Sequence, residues 1–206
     1  MQETIIKTDV TQFVFRPADN EKTDFITNDY LKKMPRDENL RYELIGGEII
    51  VSTAPRFIHQ LLAMRVQTKI ANYLTENPLG LVLATPGLIF SDFDGVIPDL
   101  IYISHEKIEE LLDEESGKFY GSPEIVIEIL SPGRANARRD LQIKRELYEI
   151  YEVPEYWVID PFEKEINVFQ RGGGKLKQTK TFTENESLTT ENLPKFNLKL
   201  MELFAN

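Results

Sequence analysis

The chain has 206 residues, of which 41% are hydrophobic and 28% are charged, and these proportions are typical of a globular domain. The sequence has no cysteine and only two histidines, which excludes disulfides, thiolate metal sites and a histidine-rich zinc site. The formal net charge of −10 disfavours a general nucleic-acid-binding surface, because phosphate contacts dominate that affinity.

The first part of the chain is polar and contains few structural signals. Residues 1–22 are predicted to be an N-terminal arm or edge strand, and residues 23–206 are predicted to be a single domain. Thr27 can cap a short helix that Pro35 ends.

A hairpin and a long helix are predicted next. Two alternating segments at residues 41–52 flank Gly46-Gly47, which is typical of a β-hairpin. The helix is predicted over residues 56–76. Its buried stripe has a spacing of four residues and consists of Leu62, Val66, Ile70 and Leu74.

The second half of the chain predicts strands interspersed with helices. The predicted strands are residues 79–85, 96–104, 124–131 and 156–159. The predicted helices are an acidic one at 106–115 and a basic one at 135–151. Beyond Pro161 a triple glycine at 172–174 predicts another hairpin, and the tail at 193–204 is predicted to pack on the sheet. The fold class is α/β or α+β, with a mixed sheet flanked by helices and extra hairpins.

Two apolar strands each contain one carboxylate. Asp99 shares a strand face with Ile101, and Glu128 shares one with Val126. Because an unpaired buried carboxylate costs several kcal/mol, such groups usually meet a cation, a metal or a proton. Two acids on neighbouring strands therefore predict a site for a divalent ion. With no thiolate available, oxygen ligands favour Mg²⁺ or Mn²⁺.

The helix at 135–151 directly follows the Glu128 strand. Asp140 and Lys144 lie within its apolar arc, four residues apart. They can form a structural ion pair, or Lys144 can point back to the sheet acids, which is the interpretation we favour. Basic residues cluster around this helix, and a solvated surface explains them equally well.

Short motifs follow one another along the chain in a characteristic order. They are Tyr42-Glu43-Leu44-Ile45-x-Gly47-Glu48, His59, Pro98-Asp99-Leu100, Pro123-x-x-Val126-x-Glu128-x-Leu130-Ser131-Pro132, Asp140-x-x-x-Lys144 and Val153-Pro154-Glu155-Tyr156-Trp157-Val158-Ile159-Asp160-Pro161. Over residues 25–204 this pattern resembles the PD-(D/E)XK nuclease superfamily, and most closely its Uma-type family of restriction endonucleases. The resemblance implies the restriction endonuclease-like fold.

The resemblance also implies roles for particular residues. Asp99 and Glu128 would hold the metal ion, Glu43 would be an additional acid near it, and Lys144 would be the cationic partner. The superfamily pattern has a lysine two residues after the second acid, whereas this chain has Leu130. The resemblance implies that the family carries this lysine on the following helix instead, at the position of Lys144.

The implied activity is hydrolysis of DNA phosphodiester bonds by a cytoplasmic, Mg²⁺- or Mn²⁺-dependent endonuclease, typically a homodimer, with no membrane partner. His59 and Arg138 are candidate substrate contacts, although His59 also fits a core or capping histidine. The alternative is a catalytically silent module that binds protein or nucleic acid, which the acidic charge and Leu130 favour. A two-carboxylate glycosidase is disfavoured because the acids lie in packed strands. Trp157 is predicted to be a core residue rather than a stacking platform for bases.

Overall fold

The computed structural model describes residues 4–8, 12–16, 26–131 and 134–205. For residues 4–8, 12–16 and 134–140 it describes the backbone alone. The predicted arm at residues 1–22 therefore lies partly outside the described residues.

Helices and strands occupy most of the described chain. The helices are α1 (Asn28–Lys33), α2 (Phe57–Glu76), α3 (His105–Leu111), α4 (Arg134–Ile150) and α5 (Leu200–Leu203). The strands are β1 (Thr4–Thr8), β2 (Gln12–Arg16), β3 (Leu40–Ile45), β4 (Glu48–Thr53), β5 (Gly80–Ala84), β6 (Leu88–Ser91), β7 (Asp94–Val96), β8 (Leu100–Ser104), β9 (Leu112–Asp113), β10 (Lys118–Tyr120), β11 (Ile125–Ile129), β12 (Glu155–Asp160), β13 (Glu165–Gly172), β14 (Lys175–Thr183), β15 (Ser187–Thr190) and β16 (Leu193–Lys199).

Local signals set the boundaries of the first elements. The Thr27 hydroxyl accepts a hydrogen bond from the Tyr30 amide at 3.2 Å and so caps α1. Gly46 and Gly47 have φ angles of 58° and 75°, which suit the tight turn between β3 and β4. The predicted cap and the predicted hairpin are both confirmed.

The strands divide between two large sheets and a separate hairpin. The six-stranded sheet has the order β14-β13-β12-β11-β8-β5, in which β11 runs parallel to β12 and antiparallel to β8. The eight-stranded sheet has the order β1-β2-β4-β3-β7-β6-β10-β9. Strands β15 and β16 pair only with each other among the described strands.

The six-stranded sheet has a hydrophobic core on each face. On one face the predicted stripe of α2 is buried together with the chain's tail and with Trp157, whose exposure is 0%. On the other face Leu147 and Tyr148 of α4 pack against Val126 and Ile101. The predicted helices 56–76 and 135–151, the buried Trp157 and the packed tail are confirmed.

The prediction of one continuous strand over residues 96–104 is wrong. The segment Ile97-Pro98-Asp99 separates β7, which belongs to the eight-stranded sheet, from β8, which belongs to the six-stranded sheet. Proline lacks the amide hydrogen that a strand interior needs, and it therefore breaks the ladder here. The predicted acidic helix is also shorter than expected, because α3 ends at Leu111 and β9 follows.

Helix α4 is fastened at its C-terminal end by the β13–β14 hairpin. Arg171 donates a hydrogen bond to the Glu149 carbonyl at 2.9 Å, and the Leu176 amide donates to the Glu149 carboxylate at 2.8 Å. The amide of Val153 closes the helix on the carbonyl of Tyr148 at 2.9 Å. These contacts fix the part of α4 that carries its inward-facing side chains.

None of the helices that the structure describes has both the length and the apolar character needed to cross a bilayer.

Candidate active site

Strand pairing brings the two predicted acids together. In the antiparallel pairing of β8 with β11, Leu100 lies opposite Ile127. Asp99 directly precedes Leu100 and Glu128 directly follows Ile127, so the two acids lie next to each other where this pairing ends. Their exposures are 6% and 7%, so both carboxylates are buried.

Asp99 is held in a fixed orientation by several donors. Its Oδ2 atom accepts a hydrogen bond from the Ile129 amide at 2.8 Å and lies 2.9 Å from Nε2 of His59. Its Oδ1 atom lies 3.5 Å from Nη1 of Arg41. Burial alone would raise the pKa of Asp99, but the hydrogen bond and charge of His59, with the Ile129 amide, hold that pKa below its ordinary value. Asp99 is therefore a carboxylate near neutral pH.

Lys144 bridges the other two acids. Its Nζ atom lies 2.8 Å from Oε1 of Glu128 and 3.0 Å from Oε1 of Glu43. Glu43 also accepts a hydrogen bond from the Ile97 amide at 2.8 Å. The ammonium group of α4 thus joins β11 of one sheet to β3 of the other.

The neighbouring charges shift the pKa values of Glu128 and Lys144 in this pocket. Burial raises the pKa of Glu128 to about 7; the charges of Asp99 and Glu43 add to this, whereas Lys144 opposes it. Burial would lower the pKa of Lys144, but the charges of Glu128 and Glu43 outweigh it and hold that pKa well above its ordinary value. Lys144 is therefore a permanent cation, and the pocket contains more carboxylates than Lys144 alone neutralises.

The structure brings most of the predicted site residues together. Glu43, Asp99, Glu128 and Lys144 form one cluster, and His59 joins it as a buried partner of Asp99. The side chain of the remaining candidate, Arg138, lies outside the described residues. The same holds for Asp140, the alternative partner of Lys144.

Two residues of the cluster were not predicted. The Tyr148 hydroxyl donates a hydrogen bond to Oε1 of Glu128 at 2.9 Å, and Arg41 reaches Asp99 as described above. Helical spacing could have indicated Tyr148, because it lies four residues after Lys144. Strand alternation could have indicated Arg41, because it lies two residues before Glu43 and so shares its face.

The donor set suits a hard cation only in part. Asp99 and Glu128 offer the carboxylate oxygens that Mg²⁺ prefers. Within the described residues, however, no three acidic, histidine or cysteine side chains are grouped closely enough to hold a metal ion. Because Mg²⁺ is commonly bound by one or two carboxylates, with water and substrate phosphates completing its shell, two protein ligands are sufficient.

A mixed sheet with helices on both faces, and a buried acid–lysine cluster that joins it to the second sheet, make this an α+β protein with a candidate active site. The family model described as "Uma2: Putative restriction endonuclease" matches residues 28–201. The chain therefore belongs to the Uma2 family, which confirms the family resemblance.

A solved structure supports the same fold. It is the crystal structure of "a putative nuclease belonging to DUF820" from Anabaena variabilis ATCC 29413, with a TM-score of 0.72 and 22% sequence identity. The similarity covers 87% of this chain and 98% of that chain. The predicted fold class is confirmed. The comparison with curated proteins gives no match.

Proposed function

We propose that this protein is a metal-dependent endonuclease that hydrolyses the phosphodiester bonds of DNA. Membership of a restriction endonuclease family supports a nuclease activity. The observation that carries the proposal is the position of Lys144, whose ammonium contacts Glu128 at 2.8 Å while Asp99 lies just before β8, the strand that pairs with β11. The helix thus supplies the cation that Leu130 cannot supply from the strand.

Asp99 and Glu128 are the residues that would hold a Mg²⁺ or Mn²⁺ ion. Burial and the neighbouring acids raise the pKa of Glu128, so a divalent cation would favour its ionised form, and the two carboxylates would offer a hard ion oxygen donors. A bound divalent ion supplies Lewis acidity at a phosphate and at a water molecule.

The side chains divide the remaining tasks. Lys144 stays protonated, and it therefore stabilises the negative charge that develops on the phosphoryl oxygens rather than taking a proton from water. Glu43 holds the ammonium from the opposite side to fix its position, and Tyr148 orients the Glu128 carboxylate. His59 orients Asp99 through Oδ2.

Plasmid cleavage tests the proposal. Wild type, Asp99→Asn and Glu128→Gln would be incubated with supercoiled DNA in Mg²⁺, in Mn²⁺ and in EDTA. We expect nicking by wild type that requires the metal and is lost in both variants, while circular dichroism shows that the variants remain folded. Absence of metal-dependent cleavage of any DNA or RNA by the wild type would refute the proposal.

A second candidate is a catalytically silent nuclease fold that binds protein or nucleic acid. It is favoured by the absence, among the described side chains, of three grouped metal ligands. Calorimetric titration with Mn²⁺ separates the two candidates. A silent protein shows no Mn²⁺ binding that depends on Glu128, whereas the nuclease binds Mn²⁺ and loses that binding in Glu128→Gln.

We also propose a homodimer, because an isologous pair of sites can cut both strands of a duplex. Sedimentation equilibrium tests it, and a monomer at assay concentration would contradict it. The cytoplasmic location stays a prediction.

A further inference from the structure

A cleft of about 520 Å³ opens beside the acid cluster. One wall is the loop before β3 together with the start of that strand, and it includes Arg36 and Arg41. The other side consists of residues 53–55, which lead into α2, together with Thr85 and Ile97. The cleft therefore adjoins the same Ile97-Pro98-Asp99 segment that positions the first acid.

Arg41 connects this cleft to the acid cluster. Its Nη1 atom lies 3.4 Å from the Ile97 carbonyl and 3.5 Å from Oδ1 of Asp99, and its side chain retains 25% exposure. Both contacts are long and use a single nitrogen, whereas a guanidinium carries five N–H donors. Arg41 is therefore able to contact Asp99 and an anion in the cleft at once.

Further positive charge lies around the outer end of the cleft. Arg36 lines it and is exposed. Lys32 lies on α1 and Lys118 begins β10; burial lowers the pKa of Lys118, and the charges of Lys32 and Arg36 lower it further. Glu38 also lines the cleft, and Asp29 lies 3.4 Å from Lys32, so the positive charge is partly offset.

The charged residues that line the cleft are Arg36, Arg41 and Glu38, in a chain whose net charge is −10. Arginine is the side chain best suited to phosphate, because its planar fork makes paired, charge-assisted hydrogen bonds.

The cleft also contains a strained residue. Thr85 has a φ of 50°, a conformation that is unfavourable for a β-branched residue, and its amide donates to the Asp99 carbonyl at 3.0 Å. Such strain costs on the order of 1–3 kcal/mol and is concentrated at functional sites. The strained peptide thus holds the Asp99 backbone from inside the cleft.

We propose that this cleft binds the nucleic-acid strand through the phosphates next to the scissile one, with Arg41 contacting the inner phosphate and Arg36 the outer one. This inference rests on the proposed function and extends it, because it assigns the path of the substrate backbone. Contacts of this kind position the strand without reading its sequence.

Binding in EDTA tests the cleft separately from cleavage. Fluorescence anisotropy would follow a labelled 20-base-pair DNA duplex, and separately one of its strands, as the full chain is added at several salt concentrations. The variants are Arg36→Gln, Arg36→Glu and Arg41→Gln. The control is Lys177→Gln, which removes one exposed charge from β14 at the far edge of the six-stranded sheet.

We expect Arg36→Gln and Arg41→Gln each to weaken duplex binding about tenfold. Each should also reduce the slope of log K against log salt by about 1, and Arg36→Glu should have a larger effect. Lys177→Gln should leave both quantities unchanged. If Arg41 had a purely structural role, its substitution would leave the slope of log K against log salt unaffected. Arg36 is exposed, so its variants test the cleft without disturbing Asp99.

The outcomes separate this inference from the proposed nuclease activity. If the wild type binds with the expected Arg36 and Arg41 dependence but cleaves nothing, the cleft assignment stands and the nuclease proposal fails. If the wild type cleaves DNA while both glutamine variants bind like wild type, the cleft assignment is overturned and the nuclease proposal stands. Failure of the wild type to bind either probe also overturns the cleft assignment.

Discussion

Glu128 and Glu155 are buried carboxylates on the neighbouring parallel strands β11 and β12, with exposures of 7% and 1%. They face opposite sides of the sheet. Glu155 accepts hydrogen bonds from neutral donors: Thr190 at 2.8 Å, Asn192 at 2.9 Å, Gln170 at 3.2 Å and the Trp157 indole. Glu128 instead has Lys144 and Tyr148 as donors and has two further acids nearby.

The difference shows that burial of a carboxylate does not by itself mark a functional site. Glu155 has enough donors for both oxygens, and those donors tie β12 to β13 and to the β15–β16 hairpin. Glu128 lies near the like charges of Asp99 and Glu43, and a further cation would stabilise its ionised form. Glu155 therefore has a structural role, whereas Glu128 lies in a site that can accept a further cation.

Activity should separate the two glutamates most strongly. Glu128→Gln should reduce the proposed DNA cleavage by at least about 1,000-fold, because the variant loses the carboxylate that we propose as a metal ligand. Glu155→Gln should cleave at the wild-type rate while losing about 1–3 kcal/mol of stability, since an amide replaces one acceptor oxygen among donors. Initial rates of plasmid nicking and urea denaturation measure the two effects. Equal loss of cleavage in both variants would contradict the expectation that activity depends on Glu128 and not on Glu155.

The free energy of unfolding should distinguish the buried ion pairs of Lys144 from an exposed ion pair. Lys144→Met should lower the free energy of unfolding by about 3–5 kcal/mol, because it leaves buried carboxylates without their cation. Lys164→Met is the matched control: its Nζ lies 2.8 Å from Glu184, but that pair is 46% and 39% exposed and should be worth less than about 1 kcal/mol. Denaturant unfolding of both variants measures the contrast, and similar losses would contradict it.

The stability of the metal-free protein should depend on pH through Glu128. Its pKa is raised by burial from 4.5 to about 7, so between these pH values the unfolded chain loses the proton while the folded chain keeps it. The free energy of unfolding therefore falls as pH rises from 4.5 to 7, by about 3 kcal/mol relative to Glu128→Gln. Urea denaturation of both proteins in EDTA from pH 4 to pH 8 measures this difference. A difference that is constant across this range, or that changes with the opposite sign, would contradict the expectation.

The smallest expected effect concerns a single donor to Glu155. Thr190→Val should cost about 1–2 kcal/mol, because the hydroxyl loses its bond to the Glu155 carboxylate and the one it accepts from the Asn192 amide at 3.1 Å, while three other donors to Glu155 remain. Thr179→Val, whose hydroxyl donates a long 3.4 Å bond to a backbone carbonyl, should stay within about 0.5 kcal/mol of wild type. Thermal unfolding measures the stability of both variants. A larger loss of stability in Thr179→Val than in Thr190→Val would show that the contact with Glu155 does not explain the effect.

The parts of this fold that sequence predicts are those set by neighbouring residues. The stripe of α2 and the Gly46-Gly47 turn follow from short-range periodicity and backbone preference, and both are confirmed. Lys144 was predicted to face the sheet from the helical period of α4, and its contact with Glu128 agrees. The family pattern indicated Glu43, which β3 brings to Lys144 from the other sheet.

The parts that sequence did not predict depend on how distant segments pair. Predicting that the strands on either side of Pro98 belong to different sheets requires knowing which strands they pair with. The alternation of side chains does not give this, because it is the same whether the two strands share a sheet or not. The partnership of His59 with Asp99 joins residues 40 positions apart, so no local spacing records it. The two arginines of the cleft, Arg36 and Arg41, were missed because Asp37 and Glu38 lie between them in the sequence and offset their charge, whereas the basic residues of α4 form a visible cluster.

The hydrogen bonds between the β13–β14 hairpin and Glu149 connect the edge of the six-stranded sheet to the helix that carries Lys144. Arg171 and Leu176 hold the helix a little more than one turn beyond Lys144. Shortening or bending the hairpin would rotate that end of the helix and carry the ammonium away from its acids. A substitution of Arg171, which lies outside the pocket, should therefore displace Lys144 relative to Glu128 with the pocket's own residues intact.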